Sequence, residues 1–176
     1  MNNDANEMKE IPAGAQPVAD TPAKVPNRSP RRRARELAVQ GIYEWRVGGQ
    51  EYAAIEAHLA EHEGFREEFK RADRALFELL LRGTLRNRDE LFVLIAPLVD
   101  RPLAELSPIE ASILLLGTFE LVHQPETPYR VIINEAIELA KTFGGTDGHK
   151  YVNGVLDNLA PKLRAPEVAA NQGRRG

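Results

Sequence analysis

The stretch from Ser107 to Val122 constrains the fold more than any other part of the sequence. Most positions from Ile113 to Val122 are apolar, so a helix formed there is apolar around almost its whole circumference. A membrane-spanning helix needs about 20 apolar residues, and Glu110 and Glu120 interrupt the stretch before that length is reached. The sequence therefore predicts a short, buried helix that begins at a Ser107-Pro108-Ile109-Glu110 capping box.

Six further stretches show the helical period, with apolar side chains recurring at three- and four-residue steps. The first has Ser29 as its cap and Pro30 as its first residue, and it ends at Gly48-Gly49. Gly83 is predicted to separate two helices, and Asp147 to cap the last one. Because no stretch alternates polar and apolar residues with turns at hairpin spacing, the sequence predicts an all-α fold of about seven helices. The predicted helices cover about 30–48, 51–61, 65–80, 85–95, 108–122, 128–143 and 148–160.

The two ends of the chain differ in composition from its middle. Residues 1–28 carry four prolines and no apolar period, which indicates a disordered N-terminal extension. Residues 29–163 are predicted to form one helical domain, and residues 164–176 a flexible C-terminal tail. The N-terminus lacks the apolar run of a secretory signal, and the chain contains no cysteine. We therefore expect a cytoplasmic protein with no membrane partner.

The first predicted helix has one basic and one apolar face. At 100° per residue, Arg32, Arg35 and Tyr43 share the face opposite Ala34 and Ala38. The net charge of the chain is −3, so contact with nucleic acid has to come from a local patch of this kind. Guanidinium groups bind phosphates and an exposed tyrosine ring stacks on an unpaired base, a combination typical of single-stranded RNA binding. A solvated arginine run that improves solubility remains the alternative from charge alone.

Two other motifs have simpler interpretations. His58-Leu59-Ala60-Glu61-His62 matches the H-x-x-E-H pattern of one zinc protease class, but it lies in a polar stretch that supplies no third ligand. The glycine-rich segment 144–150 follows a helix and lacks the P-loop spacing. We therefore interpret it as the end of one helix and the cap of the next. Phosphate binding by the free amides that open the last helix stays an alternative. No residues have a catalytic spacing, so we expect no enzyme, metal or cofactor.

Two stretches together resemble the NusB family. The first runs from Arg31 to Tyr43 as RRRARELAVQGIY, and the second, more specific one begins at Pro128 as PYRVIINEAIELAKTFGGTDGHKYVNGVLDNLAP. The resemblance covers roughly residues 30–163. It implies two small helical bundles packed together, binding of the boxA RNA element, and pairing with the small-subunit ribosomal protein NusE. It also implies assembly of an antitermination complex on RNA polymerase during ribosomal RNA synthesis.

The resemblance assigns an RNA-binding surface position by position. Arginines and Lys150 neutralise phosphates, and Tyr43 and Tyr151 stack on bases or form hydrogen bonds. Asp147 or Glu110 accepts hydrogen bonds from base edges. Three of these residues also have a structural explanation: Asp147 as a helix cap, Glu110 as the capping-box partner and Phe143 as a core residue. The full set comprises Arg31, Arg32, Arg33, Arg35, Tyr43, Glu110, Phe143, Asp147, Lys150 and Tyr151.

Two other functions compete with this interpretation. One is a related helical domain that delivers RNA to an attached ribosomal RNA methyltransferase. That enzyme needs a strand-rich, glycine-bearing cofactor domain, and only 13 residues follow Leu163. The other is a purely structural helical homo-oligomer, for which the arginines are dispensable. Whether the free protein is a monomer or a homodimer stays open.

Overall fold

The computed structural model describes residues 28–175, and this part of the chain is helical, with no strand. The all-α class is confirmed, with somewhat more helices than expected, and the N-terminal extension lies outside the described residues except for Arg28. The helices are α1 (Pro30–Gly48), α2 (Tyr52–Glu61), α3 (Arg66–Arg71), α4 (Arg74–Arg86), α5 (Arg88–Ile95), α6 (Pro108–His123), α7 (Tyr129–Phe143), α8 (Gly148–Leu163) and α9 (Ala165–Gly173).

Helix α6 is the central helix, as its apolar sequence predicts. Every residue from Ala111 to Leu121 is buried, and α6 contacts α1, α4, α5, α7 and α8. Each buried leucine side chain stabilises the fold by about 1.5–3 kcal/mol relative to an exposed one. The predicted capping box is wrong, because the Ser107 side chain makes no hydrogen bond at the helix start. No helix in the described range is long and apolar enough to cross a membrane.

The helices form two bundles that share one apolar core. Helices α1–α4 pack together in the first bundle, and α5–α8 pack together in the second. The bundles meet where α6 lies against α1 and α4. Helices α1 and α6 run in opposite directions: Arg35, early in α1, contacts Glu120, late in α6, whereas Arg46 donates to the carbonyl of Leu103, just before α6. Helix α1 thus belongs to the first bundle and forms part of the side that packs against the second.

The break predicted at Gly83 falls at Asn87, because helix α4 continues through Gly83 to Arg86. A further break divides the predicted helix 65–80 at Asp73, whose carboxylate accepts a hydrogen bond from the Leu76 amide. Gly83 has a packing role, because a Cβ atom placed there would overlap the Phe119 ring of α6. Its missing side chain allows α4 and α6 to approach closely.

The C-terminal residues are ordered into a helix, contrary to the expected flexible tail. Arg164 is buried, and its guanidinium group donates to main-chain carbonyls at the end of α6 and in the following loop. It also forms an ion pair with Glu167 of α9, whose carboxylate accepts from the Tyr129 amide at the start of α7. The accepting carbonyls belong to Glu120, Leu121, Gln124 and Thr127.

Candidate nucleic-acid interface

Local sequence signals define both ends of α1, the helix that carries most of the candidate residues. The Ser29 hydroxyl accepts from the Arg32 amide at 3.1 Å, and Pro30 occupies the first turn. Gly49 ends the helix with φ of 69°, the left-handed conformation that glycine adopts without strain. The predicted cap and stop are therefore confirmed, and they fix which α1 side chains face the solvent.

Arg35 does not lie on the exposed face of α1, so that part of the sequence prediction is wrong. Its side chain is 4% exposed, and that of Glu120 is 3% exposed. The Arg35 Nε and Nη2 atoms donate to the Glu120 carboxylate at 2.9–3.2 Å. The prediction assumed that one side of α1 is covered, whereas α4 and α6 cover it from two sides. Arg35 joins the two bundles and is shielded from any RNA.

The remaining arginines of α1 differ in how much of their charge is compensated. Arg31 is exposed and forms no ion pair within the described residues. Arg32 donates from Nε and Nη2 to the two carboxylate oxygens of Glu135 in α7, each at 3.3 Å. This contact raises the pKa of Arg32, so the group stays charged. Arg33 is half-buried and donates to Glu68 at 2.9 Å. Only Arg31 and Arg32 thus offer accessible N–H groups.

A cleft beside α1 contains an exposed aromatic ring. Phe143, the last residue of α7, is 41% exposed, so the structure does not make it a core residue. Together with Leu37, Gln40 and Phe65 it lines a cleft of about 180 Å³. Tyr43 follows one turn further along α1 and is half-buried. An unstacked base can reach Phe143 in this cleft.

The start of α8 brings two candidate residues to the surface. Lys150 is exposed and lies 3.3 Å from the carboxylate of Asp147. Tyr151 is half-buried, and its hydroxyl donates to Asp100 at 3.3 Å. Burial and the neighbouring Asp100 carboxylate raise the pKa of Tyr151, so its hydroxyl remains a donor near neutral pH. Asp147 occupies the cap position of α8, but its side chain makes no capping hydrogen bond.

Glu110 lies at the start of α8, away from the capping box predicted for α6. Its carboxylate lies against Gly148, in the space where a Cβ atom of that residue would be. A negative charge is stabilised at a helix N-terminus, because the amide groups there carry partial positive charge. The Glu110 carboxylate is therefore stabilised by its position next to the first residue of α8.

The fold gathers most candidate residues along one side of the molecule. Helices α6 and α8 begin at the same end, where Glu110 meets Gly148, and α7 ends there. The α1 arginines lie further along, with roughly 16 Å of helix between Arg32 and Tyr43. Phe143 lies between these two regions, beside Leu37 and Gln40. We call the accessible candidate residues Arg31, Arg32, Tyr43, Phe143 and Lys150 the track, and Arg35 is not part of it because it is buried.

Acidic side chains that sequence patterns do not reveal contact the arginines near this track. Glu36 and Glu68 both contact Arg28, and Glu135 contacts Arg32. Burial raises the pKa of Glu36, and Arg28 opposes that shift. These contacts join residues that are far apart in the chain, so no local spacing could reveal them.

The H-x-x-E-H segment shows no sign of a metal site. His58 contacts the Glu44 carboxylate at 2.8 Å, and the His62 ring accepts from the Gly64 amide. Among residues 28–175, no group of three or more histidine, aspartate or glutamate side chains is placed to hold a metal ion. The segment is instead part of an aromatic contact that includes Phe65.

Comparison with known proteins gives matches over most of the chain. The NusB family profile matches residues 32–161. A relative from Dechloromonas aromatica (strain RCB), named transcription antitermination protein NusB, is 57% identical over 149 residues, which cover 85% of this chain and 89% of that protein. A relative of the same name from Cupriavidus pinatubonensis is 48% identical, with 97% of this chain and 99% of that protein covered.

Two solved structures have a similar fold. NusB of T. maritima superposes with a TM-score of 0.65 at 28% identity, covering 81% of this chain and 99% of that one. A chain from the crystal structure of the antitermination factors NusB and NusE in complex with dsRNA has a TM-score of 0.63 at 21% identity, covering 76% and 97%. The second match supports the two-bundle fold alone.

Proposed function

The chain belongs to the NusB family, and from that premise we propose that it is a cytoplasmic transcription antitermination factor without enzymatic activity. In this proposal it binds boxA-type single-stranded RNA of ribosomal RNA transcripts together with NusE. The pair then joins the antitermination complex on RNA polymerase. The names of its relatives support this proposal, and a distant relative with the same fold has been crystallised with NusE and dsRNA.

The observation that carries the proposal is the track of cations and rings along one side of the molecule. Arg31, Arg32 and Lys150 supply charges for phosphates, and Phe143 and Tyr43 supply rings for bases. Of the remaining candidates, Tyr151 and Asp147 supply a donor and an acceptor for base edges. We assign supporting roles to Arg33, Arg35 and Glu110, because their charges are already engaged with Glu68, Glu120 and the α8 terminus.

Neutralising the accessible cations should weaken RNA binding. The variant R31Q/R32Q/K150Q is expected to lose about 30-fold in affinity for a boxA-type oligonucleotide, equivalent to about 2 kcal/mol. The slope of log affinity against log salt should fall by about 2, because each lost phosphate contact removes about 0.7 from the slope for single strands. Fluorescence anisotropy at two salt concentrations, with and without NusE, measures both quantities.

A matched variant separates this local effect from a change in net charge. R82Q/R86Q/R88Q removes the same charge from a cleft lined by Glu51, Tyr52 and Leu85, which contains no residue of the track. It should retain affinity within about twofold, since charges more than a Debye length from the RNA are largely screened. Equal losses in both triple variants, or no loss in R31Q/R32Q/K150Q, would reject the proposed track.

Glu135 is expected to compete with RNA for Arg32. Its carboxylate already accepts two hydrogen bonds from that guanidinium group, and it repels an approaching phosphate. E135Q should therefore raise RNA affinity about fivefold, and this gain should vanish in the R32Q background. E138Q is the control: Glu138 lines the same cleft but makes no hydrogen bond to Arg32, so its gain should stay below about twofold. Weaker binding by E135Q would show that Glu135 orients Arg32 for RNA.

A further inference from the structure

Three exposed arginines without an ion pair in the described part of the chain lie together away from the arginine-rich start of α1. Arg130, Arg174 and Arg175 are exposed, and none of them forms an ion pair among residues 28–175. In contrast, Arg32 and Arg33 each contact a carboxylate. Arg31, Arg66, Arg71 and Arg86 are also exposed and form no ion pair in this range, but the junction of α7 and α9 brings three such arginines around two adjacent clefts.

These three arginines surround two adjacent clefts that share a common wall. The clefts have volumes of about 260 and 250 Å³, and Tyr129, Arg130 and Asn171 line both of them. Arg174 lines the first cleft and Arg175 the second. Two phosphates of one strand can thus be held side by side at this junction.

The junction holds Arg130 in a defined position. When the Asn171 amide is oriented with its oxygen toward α7, that oxygen accepts from the Tyr129 hydroxyl at 2.8 Å and from the Arg130 Nε and Nη2 atoms at 2.5 Å. Amide orientation is assigned from such networks, and this one satisfies all three donors. The Nη1 side of Arg130 keeps free donors. An arginine fixed in this way loses little side-chain entropy when it binds an anion.

The carboxylates near the junction offset only part of the charge of the three arginines. Glu167 is already engaged by Arg164 and by the Tyr129 amide, so its charge is compensated. Asp157 lines the second cleft and is the carboxylate that faces the arginines there. The three guanidinium groups therefore leave a local excess of positive charge.

The junction lies at the same end of the molecule as the start of α1. Arg31 precedes Arg35 by one helical turn, and Arg35 binds Glu120 near the end of α6. Arg164, which leads into α9, binds carbonyls from Glu120 to Thr127 in that same region. The junction is thus positioned to continue the proposed track beyond Arg31.

We propose that Arg130, Arg174 and Arg175 form a second phosphate-binding site, which takes the backbone of an RNA strand that extends past the boxA-type element. The inference rests on the proposed function and adds a longer footprint to it. Guanidinium forks bind phosphate oxygens without reading base identity, so the site should lengthen the contact regardless of flanking sequence.

The test uses the full chain and three oligonucleotides. One RNA of about 8 nucleotides carries only the boxA-type element, and two RNAs of about 20 nucleotides extend it on the 5′ or the 3′ side, lengths that bracket typical single-strand footprints. For one extended RNA, R174Q/R175Q should weaken binding about tenfold and reduce the salt slope by about 1.4. The short RNA should bind R174Q/R175Q as well as it binds the parent protein. R82Q/R86Q removes the same charge from α4 and should leave all three affinities within about twofold.

Each other outcome overturns the second phosphate-binding site, and one of them also overturns the proposed function. Unchanged affinity for both extended RNAs overturns the second site, and so does an equal loss for the short and extended RNAs. A parent protein that binds none of these RNAs, with or without NusE, overturns the proposed function and the second site with it. Unfolding curves for R174Q/R175Q should match those of the parent, because neither arginine is buried.

Discussion

Replacing Arg35 with alanine should lower the free energy of unfolding by about 3–5 kcal/mol, the largest effect we expect from a single substitution. The variant leaves the Glu120 carboxylate, which is 3% exposed, without its cation. A buried charge without a partner loses its hydration and gains nothing in return. Urea denaturation followed by circular dichroism measures the change, with the slope of the transition checked for two-state behaviour.

The paired substitution R35M/E120L separates the loss of a charge partner from the loss of packing. It removes both charges and keeps apolar volume at the contact between the bundles, so it should recover most of the stability lost in R35A. A double variant as unstable as R35A would show that the ion pair itself holds the bundles together. A loss below about 1 kcal/mol in R35A would indicate that Glu120 reaches water, contrary to the observed burial.

Replacing Arg164 with alanine should cost about 3 kcal/mol, because four main-chain carbonyls lose a charged donor at once. Three of these carbonyls belong to the last turn of α6 or to the residue that follows it. The Arg164 fork therefore ends the central helix in the way that a capping side chain does. Thermal unfolding of R164A should show the loss as a lower midpoint temperature.

Two milder changes serve as controls for R164A. E167Q removes only the ion pair and should cost less than about 1 kcal/mol, since that carboxylate is partly exposed. R164K keeps the charge but cannot reach several carbonyls at once, so its stability should lie between those of R164A and the parent. If R164K were as stable as the parent, charge alone would account for the effect of Arg164.

Sequence patterns predict the helices that local signals define. The apolar period and the nearly uniform hydrophobicity of α6 predict a central buried helix, and Ser29, Pro30 and Gly49 mark the ends of α1. The break at Asp73 has a local signal, because Asp73 caps α4 by accepting from the Leu76 amide, whereas helix α9 depends on tertiary contacts. Helix α9 has only one buried apolar residue, Val168, and its position depends on the Arg164 contacts.

The candidate site was harder to predict, because burial on α1 depends on two neighbouring helices. Helical geometry correctly places Arg35 near Arg32 on α1, yet α6 covers Arg35 and leaves Arg32 accessible. One signal was available in the sequence: Glu120 is a charged residue within an otherwise apolar helix. Such a residue needs a cation from elsewhere in the chain, and the arginines of α1 are natural candidates.

Helix α1 packs against helices of both bundles, so the proposed RNA track is intact only while the entire domain is folded. Neither bundle keeps a closed interior if this helix detaches, since Ala34, Ala38 and Ile42 are fully buried within the common core. The helix that presents Arg31 and Arg32 is therefore among the last parts of the molecule to open, and amide hydrogens along it should exchange only when the whole domain unfolds.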